Sequence, residues 1–204
     1  RLCNKPYVVC PAGALPLFGR SIYLKCIYNF VIGRRIIKNA SAWIAVTSGE
    51  LIQFINYGIP ASQVTIIPNG ISANDFPKVD FKSYKRAIGL KNLPIILFVG
   101  RLNPIKGPDL LLQAFALAHN RIPEFHLVFA GPDEGMKSIL MQTAEENDMS
   151  DYVHFLGYVT GSEKIAAYQM ASLLVVPSRQ EAMSIVALEA AVSGTPVMVT
   201  DQCG

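Results

Sequence analysis

A chain of 204 residues that is 51% hydrophobic carries enough apolar surface for a large core and is no disordered segment. Charged residues make up 16% and the net charge is +3, too little for a nucleic-acid binder, whose affinity is built from many phosphate contacts. The uncharged run 165–178 contains Gln169 and Ser172 and falls short of the roughly 20 apolar residues needed to cross a bilayer. The chain opens on Arg1 rather than Met and ends on Asp201-Gln202-Cys203-Gly204, ends that read as truncation on both sides.

In chain order, short β-branched runs alternate with longer helical patterns, the signature of parallel βα units rather than hairpins. Strands are expected at 7–10, 42–46, 63–67, 94–99, 125–130, 152–156, 173–176 and 196–199. Several are apolar on both faces, as a sheet covered on both sides requires. Helices are expected near 20–38, 49–57, 108–120, 135–147, 162–170 and 185–193, with Pro108 opening one and Gly194 closing another. Pro68-Asn69-Gly70 and the polar stretch that follows carry no strand signal and make the best domain boundary. The chain therefore divides into 1–68, the end of one α/β domain, 69–92, a crossover, and 93–204, most of a second α/β domain.

The charge is unevenly spread. Residues 1–49 hold seven basic residues (Arg1, Lys5, Arg20, Lys25, Arg34, Arg35 and Lys38) and no acid, whereas the remainder is net −4. Two readings of 20–38 stand side by side. Basic residues interleaved with Ile22, Tyr23, Leu24, Ile27, Tyr28, Phe30, Val31 and Ile32 suit peripheral contact with an anionic membrane. At about 100° per residue, Arg20, Arg34, Arg35 and Lys38 share one side and apolar residues fill most of the rest, which suits a largely buried helix with one wet stripe. Cys3, Cys10, Cys26 and Cys203 form no CxxC pair and have no His at ligand spacing, so free, mostly buried thiols in a reducing cytoplasm are expected, with no metal site.

Ligands of open parallel sheets bind beyond the carboxyl ends of the strands. The loop leaving 94–99 runs Gly100-Arg101-Leu102-Asn103-Pro104-Ile105-Lys106-Gly107-Pro108-Asp109, in which two cations flank a turn onto a helix start. A guanidinium, an ammonium and the helix's free N–H groups together suit an anion such as phosphate; two solvated surface charges are the alternative. The loop leaving 173–176 carries Glu181 and, eight residues on, Glu189. Glu189 falls among Val186, Ala187, Leu188 and Ala190, where a carboxylate needs hydrogen-bond donors such as sugar hydroxyls. Ser184 is placed to cap that helix and leave amides near 182–185 for a ligand.

These loops carry a resemblance. Gly100-Arg101 with Lys106-Gly107, the Glu-x7-Glu pattern of Glu181 and Glu189, residues 64–76 (Val-Thr-Ile-Ile-Pro-Asn-Gly-Ile-Ser-Ala-Asn-Asp-Phe) and His154-Phe155-Leu156-Gly157-Tyr158-Val159 resemble, in order and spacing, the family 4 glycosyltransferases of GT-B architecture. The resemblance implies an α/β fold of two facing Rossmann-like domains with parallel sheets. It implies a hexosyltransferase that moves a sugar from a nucleoside-diphosphate sugar to a glycan or lipid-linked acceptor, with retention of anomeric configuration. By the family's pattern Arg101 and Lys106 hold the diphosphate next to Gly100, Glu189 binds the ribose hydroxyls, and the backbone of Leu156, Gly157, Tyr158 and Val159 meets the base. Glu181 and the amides of Ala182, Met183, Ser184 and Ile185 contact the transferred sugar; Arg101, Lys106 and Glu181 are the catalytic set.

No Asp-x-Asp occurs, so neither metal nor other cofactor is implied, and a cytoplasmic enzyme, peripheral at the inner membrane face, is expected. The sequence departs from the family at Ala12, where many members carry His, and at Ala182-Met183-Ser184, where an aromatic-glycine pair is usual. No G-x-G-x-x-G follows a strand, against a nicotinamide enzyme. A non-catalytic nucleotide-sugar-binding module, a sugar-nucleotide epimerase and a GT-B phosphorylase remain as alternatives, and the segment alone is expected not to turn over.

Overall fold

The computed structural model describes residues 5–17 and 21–203. Arg1, Cys3, Arg20 and Gly204, named above, lie outside them. Contacts divide the chain into two compact units, one built on the segment up to Gly70 together with Glu181–Met183, the other on Ile71–Gln180 and Ser184–Cys203.

The first unit holds a parallel sheet of β1 (Val8–Val9), β2 (Ala42–Ala45) and β3 (Val64–Ile66) in that order. Ala45, Phe54 and Val64 are buried against α3 (Leu51–Asn56) with Ile37 and Ile59. Glu50 is only 1% exposed, and the cost of burying its carboxylate is offset by hydrogen bonds accepted from the Gly13 and Val46 amides. It thereby ties the loop after β1 to the exit of β2.

The helix expected at 20–38 forms as α1 (Ile22–Tyr28) and α2 (Arg34–Lys38) joined by a π-helical turn, Asn29–Gly33. At that turn the Tyr57 hydroxyl donates to Asn29 Oδ1 at 3.1 Å, and the Asn29 side chain fills the space that a Cβ on Gly33 would need. The expectation that this run is largely buried is corrected: α1 has no buried residue, Ile37 alone is buried in α2, and Tyr23, Leu24, Ile27 and Phe30 face outward at 62–83% exposure. A three-stranded sheet with one short helix on it cannot cover a helix that is apolar on nearly every side. Cys10 and Cys26 are free thiols and are exposed rather than buried, for the same want of covering structure; Cys203 is free and half-buried.

The second unit is a five-stranded parallel sheet in the order β6-β5-β4-β7-β8, formed by β4 (Ile95–Val99), β5 (His126–Ala130), β6 (Val153–Gly157), β7 (Leu173–Val176) and β8 (Val197–Val199). Its strands feed alternate side chains to two cores. Ile95, Leu97, Val128 and Ala130 face one core, closed by α7 (Gly161–Met170) and α8 (Ile185–Val192) through Ala167, Tyr168 and Ala190. Phe98, Leu127 and Phe129 face the other, closed by α5 (Pro108–Ala118) and α6 (Lys137–Glu146) through Leu112, Phe115 and Leu140. Asp133 caps the approach to α6, its Oδ1 accepting from the amides of Gly135, Met136 and Lys137 at 2.9–3.0 Å.

The polar stretch past Gly70 holds a helix the sequence reading missed, α4 (Phe81–Ala87), capped by Asp80, whose side chain accepts from the Ser83 amide. Phe81, Tyr84 and Ile88 lie along one face and pack on the first of the two cores. Gln169 of α7 pins the approach, accepting from Val79 N and donating to Pro77 O.

At the amino ends of β5 and β6, His126 Nδ1 lies 2.9 Å from His154 Nε2 and the rings stack. Burial, then the neighbouring imidazole (His119 for His126, His126 for His154), lowers both pKa values. Depressed folded-state values mean that the unfolded chain takes up protons first, so this stability is fully present above about pH 6.5 and is lost as pH falls below it. The carboxylates with lowered values, such as Asp133 and Glu134, act at lower pH. The urea midpoint should therefore decline as pH falls below about 6.5, and His154→Leu should flatten that decline; an unaltered slope in the variant would assign it elsewhere.

Candidate functional site

In an open parallel sheet the ligand crevice lies where the strand order reverses. Here β4 comes first, and the chain runs outward to β5 and β6 on one side and to β7 and β8 on the other. The loops leaving these strands meet above that point because backbone approaches backbone closely. Gly100 N donates to Ala130 O, Leu102 N to Pro132 O and Glu134 N to Leu102 O. Gly131, at φ +147°, lies so near Gly100 that a Cβ would sit 1.9 Å from its carbonyl oxygen.

That pairing sets the first cation. Arg101 Nη1 donates to Glu134 Oε1 at 3.0 Å while Asn103 Nδ2 donates to Oε2 of the same carboxylate at 2.7 Å. The Asn103 hydrogen bond first and the Arg101 guanidinium second hold Glu134 below the ordinary carboxylate range. Asn103 is buried and its Oδ1 accepts from Lys106 N at 3.0 Å, fixing the turn that presents Lys106. Gly107 then caps α5 at φ +68°, with Pro108 as the first helical residue.

A second tie joins this loop to the exit of β7. Arg179 holds Asp109 in a two-point ion pair, Nη1 to Oδ1 at 2.8 Å and Nη2 to Oδ2 at 2.6 Å, and Nη1 also donates to Pro104 O. The Arg179 amide donates to Ile105 O. The guanidinium keeps Asp109 ionised below its usual range, and the carboxylate raises Arg179 in turn.

On the other side, Ser184 caps α8, accepting from Ala187 N at 3.3 Å, as its place in the sequence suggested. Glu189 receives its donors from within the fold: the Tyr168 hydroxyl and Lys164 Nζ each lie 2.6 Å from Oε2. Burial, with the Glu189 hydrogen bond second, pushes the Tyr168 phenol far up, so it stays a donor.

A cavity of about 520 Å³ opens among these loops, lined by Gly100, Arg101, Gly131, Tyr158, Val159, Thr160, Lys164 and Val186 among others. Of the residues picked out from sequence, Gly100, Arg101, Tyr158 and Val159 line it. Leu156 and Gly157 end β6 beneath it, Leu156 packed on the core. Lys106, Ser184, Ile185 and Glu189 belong to the same unit without lining the cavity, and Glu181, Ala182 and Met183 fall in the first unit. Sequence reasoning missed Asn103, Asp109, Glu134, Lys164, Tyr168 and Arg179. Each acts through a partner 21–70 residues distant, or through both a near and a far one, and the signal that could have found Asn103, Asp109, Glu134 and Arg179 was their position in loops leaving strands. Among the described residues no group of three or more His, Cys, Asp or Glu is placed to hold a metal ion.

A doubly wound parallel sheet with cations at its switch point is the Rossmann-like, anion-binding class of α/β unit. Residues 80–204 match the family of glycosyl transferases group 1, and the chain belongs to that family. It is 32% identical over 179 residues to a D-inositol 3-phosphate glycosyltransferase of Nocardia farcinica, covering 84% of this chain and 40% of that protein. The match to the like-named protein of Actinosynnema mirum is 34% over 179 residues, covering 82% and 43%. Among solved structures, HepE of Anabaena in complex with UDP and glucose matches with a TM-score of 0.83 at 22% identity over 100% of this chain and 55% of that one. Sucrose-phosphate synthase of Thermosynechococcus elongatus matches at 0.79 with 24% identity over 98% and 51%. The α/β fold is thus that of the GT-B glycosyltransferases, and the chain spans about half the length of these solved structures and about two fifths of the curated relatives.

An Ala at 107 would have to adopt φ +68° with its Cβ 2.1 Å from Pro177 O, whereas Gly89 shares the left-handed backbone, φ +79°, in open space. Gly89→Ala should cost about 1 kcal/mol and Gly107→Ala at least about 2–3 kcal/mol, read from denaturant midpoints. Equal costs would mean that the close approach does not hold.

Proposed function

We propose that the protein is a retaining glycosyltransferase of family 4, hexosyltransferase in type, whose donor is a nucleoside-diphosphate sugar bound in the cavity at the switch point. The observation that carries the reading is Arg101, held by Glu134 and lining that cavity together with Tyr158 and Val159, with Lys106 on the same loop as Arg101. The UDP held by the Anabaena structure supports a nucleotide donor here.

Transfer breaks the bond between the anomeric carbon and the diphosphate and forms one to the acceptor oxygen. Negative charge grows on the leaving phosphate, and cations already in position lower that barrier without reorganising. Arg101 and Lys106 take this role, Glu189 meets the ribose hydroxyls, and the backbone at 156–159 meets the base. Glu181 and the amides of residues 182–185 hold the transferred sugar. In retention by front-face attack, the departing phosphate oxygen receives the acceptor's proton. The positive side chains stand where other architectures use a metal, so the reaction proceeds without one.

A glycan or lipid-linked acceptor fits the first unit, which contains an apolar cavity of about 700 Å³ lined by Pro11, Leu15, Leu24, Tyr28 and Ile36 with Lys25 beside them. No helix among the described residues is long and apolar enough to cross a membrane. The exposed apolar face of α1 beside Lys25, Arg34, Arg35 and Lys38 fits peripheral contact with an anionic cytoplasmic leaflet.

The full-length protein, assayed against UDP-, GDP- and ADP-sugars with glycan and lipid-linked acceptors, should transfer from one of them, while residues 1–204 alone should not. Lys106→Ala should lose about 3–4 kcal/mol of transition-state stabilisation in kcat/KM, several-hundred-fold. Near-normal turnover of that variant would remove the cation assignment. Hydrolysis without transfer would remove the transferase reading, and nucleotide binding without turnover would favour a binding module. Vesicle sedimentation should show preference for anionic over zwitterionic lipid; equal binding would remove the membrane contact.

A further inference from the structure

Glu189 was expected to need donors from a ligand, yet its carboxylate, 13% exposed, already has two in the protein. They differ in kind. Tyr168 is fully buried, and its hydroxyl is a fixed neutral donor behind the carboxylate. Lys164, in the first turn of α7, has a side chain 31% exposed, and it lines the 520 Å³ cavity that Glu189 itself does not line. The groups a ligand meets on this wall are therefore an ammonium first and a carboxylate behind it, 2.6 Å apart.

Such a pair has a definite chemistry. An ammonium carries three N–H donors and no acceptor, so with one spent on Glu189 it has others for oxygen atoms in the cavity. An ionised carboxylate has about four acceptor sites, and the two protein contacts both fall on Oε2. A hydroxyl beside the pair accepts from Lys164 and donates to Glu189, and two vicinal hydroxyls satisfy both groups at once. Lys164 also offsets the carboxylate's charge, which would otherwise repel the phosphates that Arg101 attracts into the same cavity.

We propose that Lys164 is a ligand-binding residue that, paired with Glu189, reads the vicinal ribose hydroxyls of a nucleoside diphosphate. This rests on the reading of the cavity as the nucleotide site. It gives the cavity two lining cations with separate tasks, Arg101 for the diphosphate and Lys164 for the sugar of the nucleoside.

The test is calorimetric binding to the full-length protein of UDP, GDP and ADP, then of the 2′-deoxy and 3′-deoxy forms of the one that binds tightest. Wild type, Lys164→Met and Lys164→Arg are compared. Lys164→Met should weaken the ribonucleotide about tenfold, the scale of a lost charged hydrogen bond, while weakening at least one deoxy form less than about twofold; Lys164→Arg should retain most of the affinity. Unchanged or tighter ribonucleotide binding by Lys164→Met, or equal losses for ribo and deoxy forms, would overturn the role of Lys164. Wild type that does not distinguish ribo from deoxy forms would instead remove Glu189 from ribose binding, and absence of binding by all three diphosphates would remove the nucleotide site.

Discussion

Backbone meets backbone at the carboxyl ends of β4, β5 and β7, and two glycines make the meeting possible. Gly131 lies against the Gly100 carbonyl and Gly107 against the Pro177 carbonyl, each closer than any Cβ allows. Because the loops close up in this way, Glu134 reaches both Arg101 and Asn103, and Arg179 reaches both Asp109 and Pro104 O. The ion pairs themselves add little stability. Their side chains are 28–58% exposed, and exposed pairs are worth about 0–1 kcal/mol each. What they contribute is orientation, on a platform whose position is set by backbone fit and by the two cores beneath the sheet.

The same geometry explains why the cavity lies where it does. β4 sends Ile95 and Leu97 to one core and Phe98 to the other, so it is held from both faces. Its neighbours β5 and β7 continue in opposite directions through the chain. The loops therefore splay to either side of the β4 exit and leave a crevice between them. The first unit follows different economics: a short parallel sheet, one buried carboxylate acting as a tie, and an apolar helix face turned outward.

Repeating local patterns were legible in the sequence. All eight strands appear near their expected positions, the central β4, β5 and β7 because parallel strands covered on both faces are written as continuous apolar runs, and Pro108, Ser184 and Gly194 sit at the helix ends they signalled. β1 shrinks to two residues, and α4 was hidden because Phe81, Tyr84 and Ile88 are spread among Lys82, Ser83, Lys85 and Arg86. In the site, the cations Arg101 and Lys106 were visible as charges in a strand-to-helix loop. Their supports were not, since Glu134 and Arg179 act across separations of 31–75 residues that no local pattern records. Glu189 was legible as a carboxylate in need of donors, but not the two that the fold itself supplies, Lys164 and Tyr168 of α7, because both reach it across a separation that no local pattern records.

The Lys164–Glu189 pair bears on how such a cavity handles charge. Arg101 and Lys164 are each paired with a carboxylate before any ligand arrives, so the walls are close to neutral where they meet the cavity. A site built of bare cations would pay to hold them together and would bind anions indiscriminately. Paired cations are already oriented, and an incoming anion competes for N–H groups that are fixed in direction, so little reorganisation accompanies binding. Under the proposed reading, the charge on a diphosphate then exceeds what Arg101 alone can offset, and the remainder falls to Lys106 and to the amino end of α5, the elements that the Asn103 and Arg179 contacts hold in place.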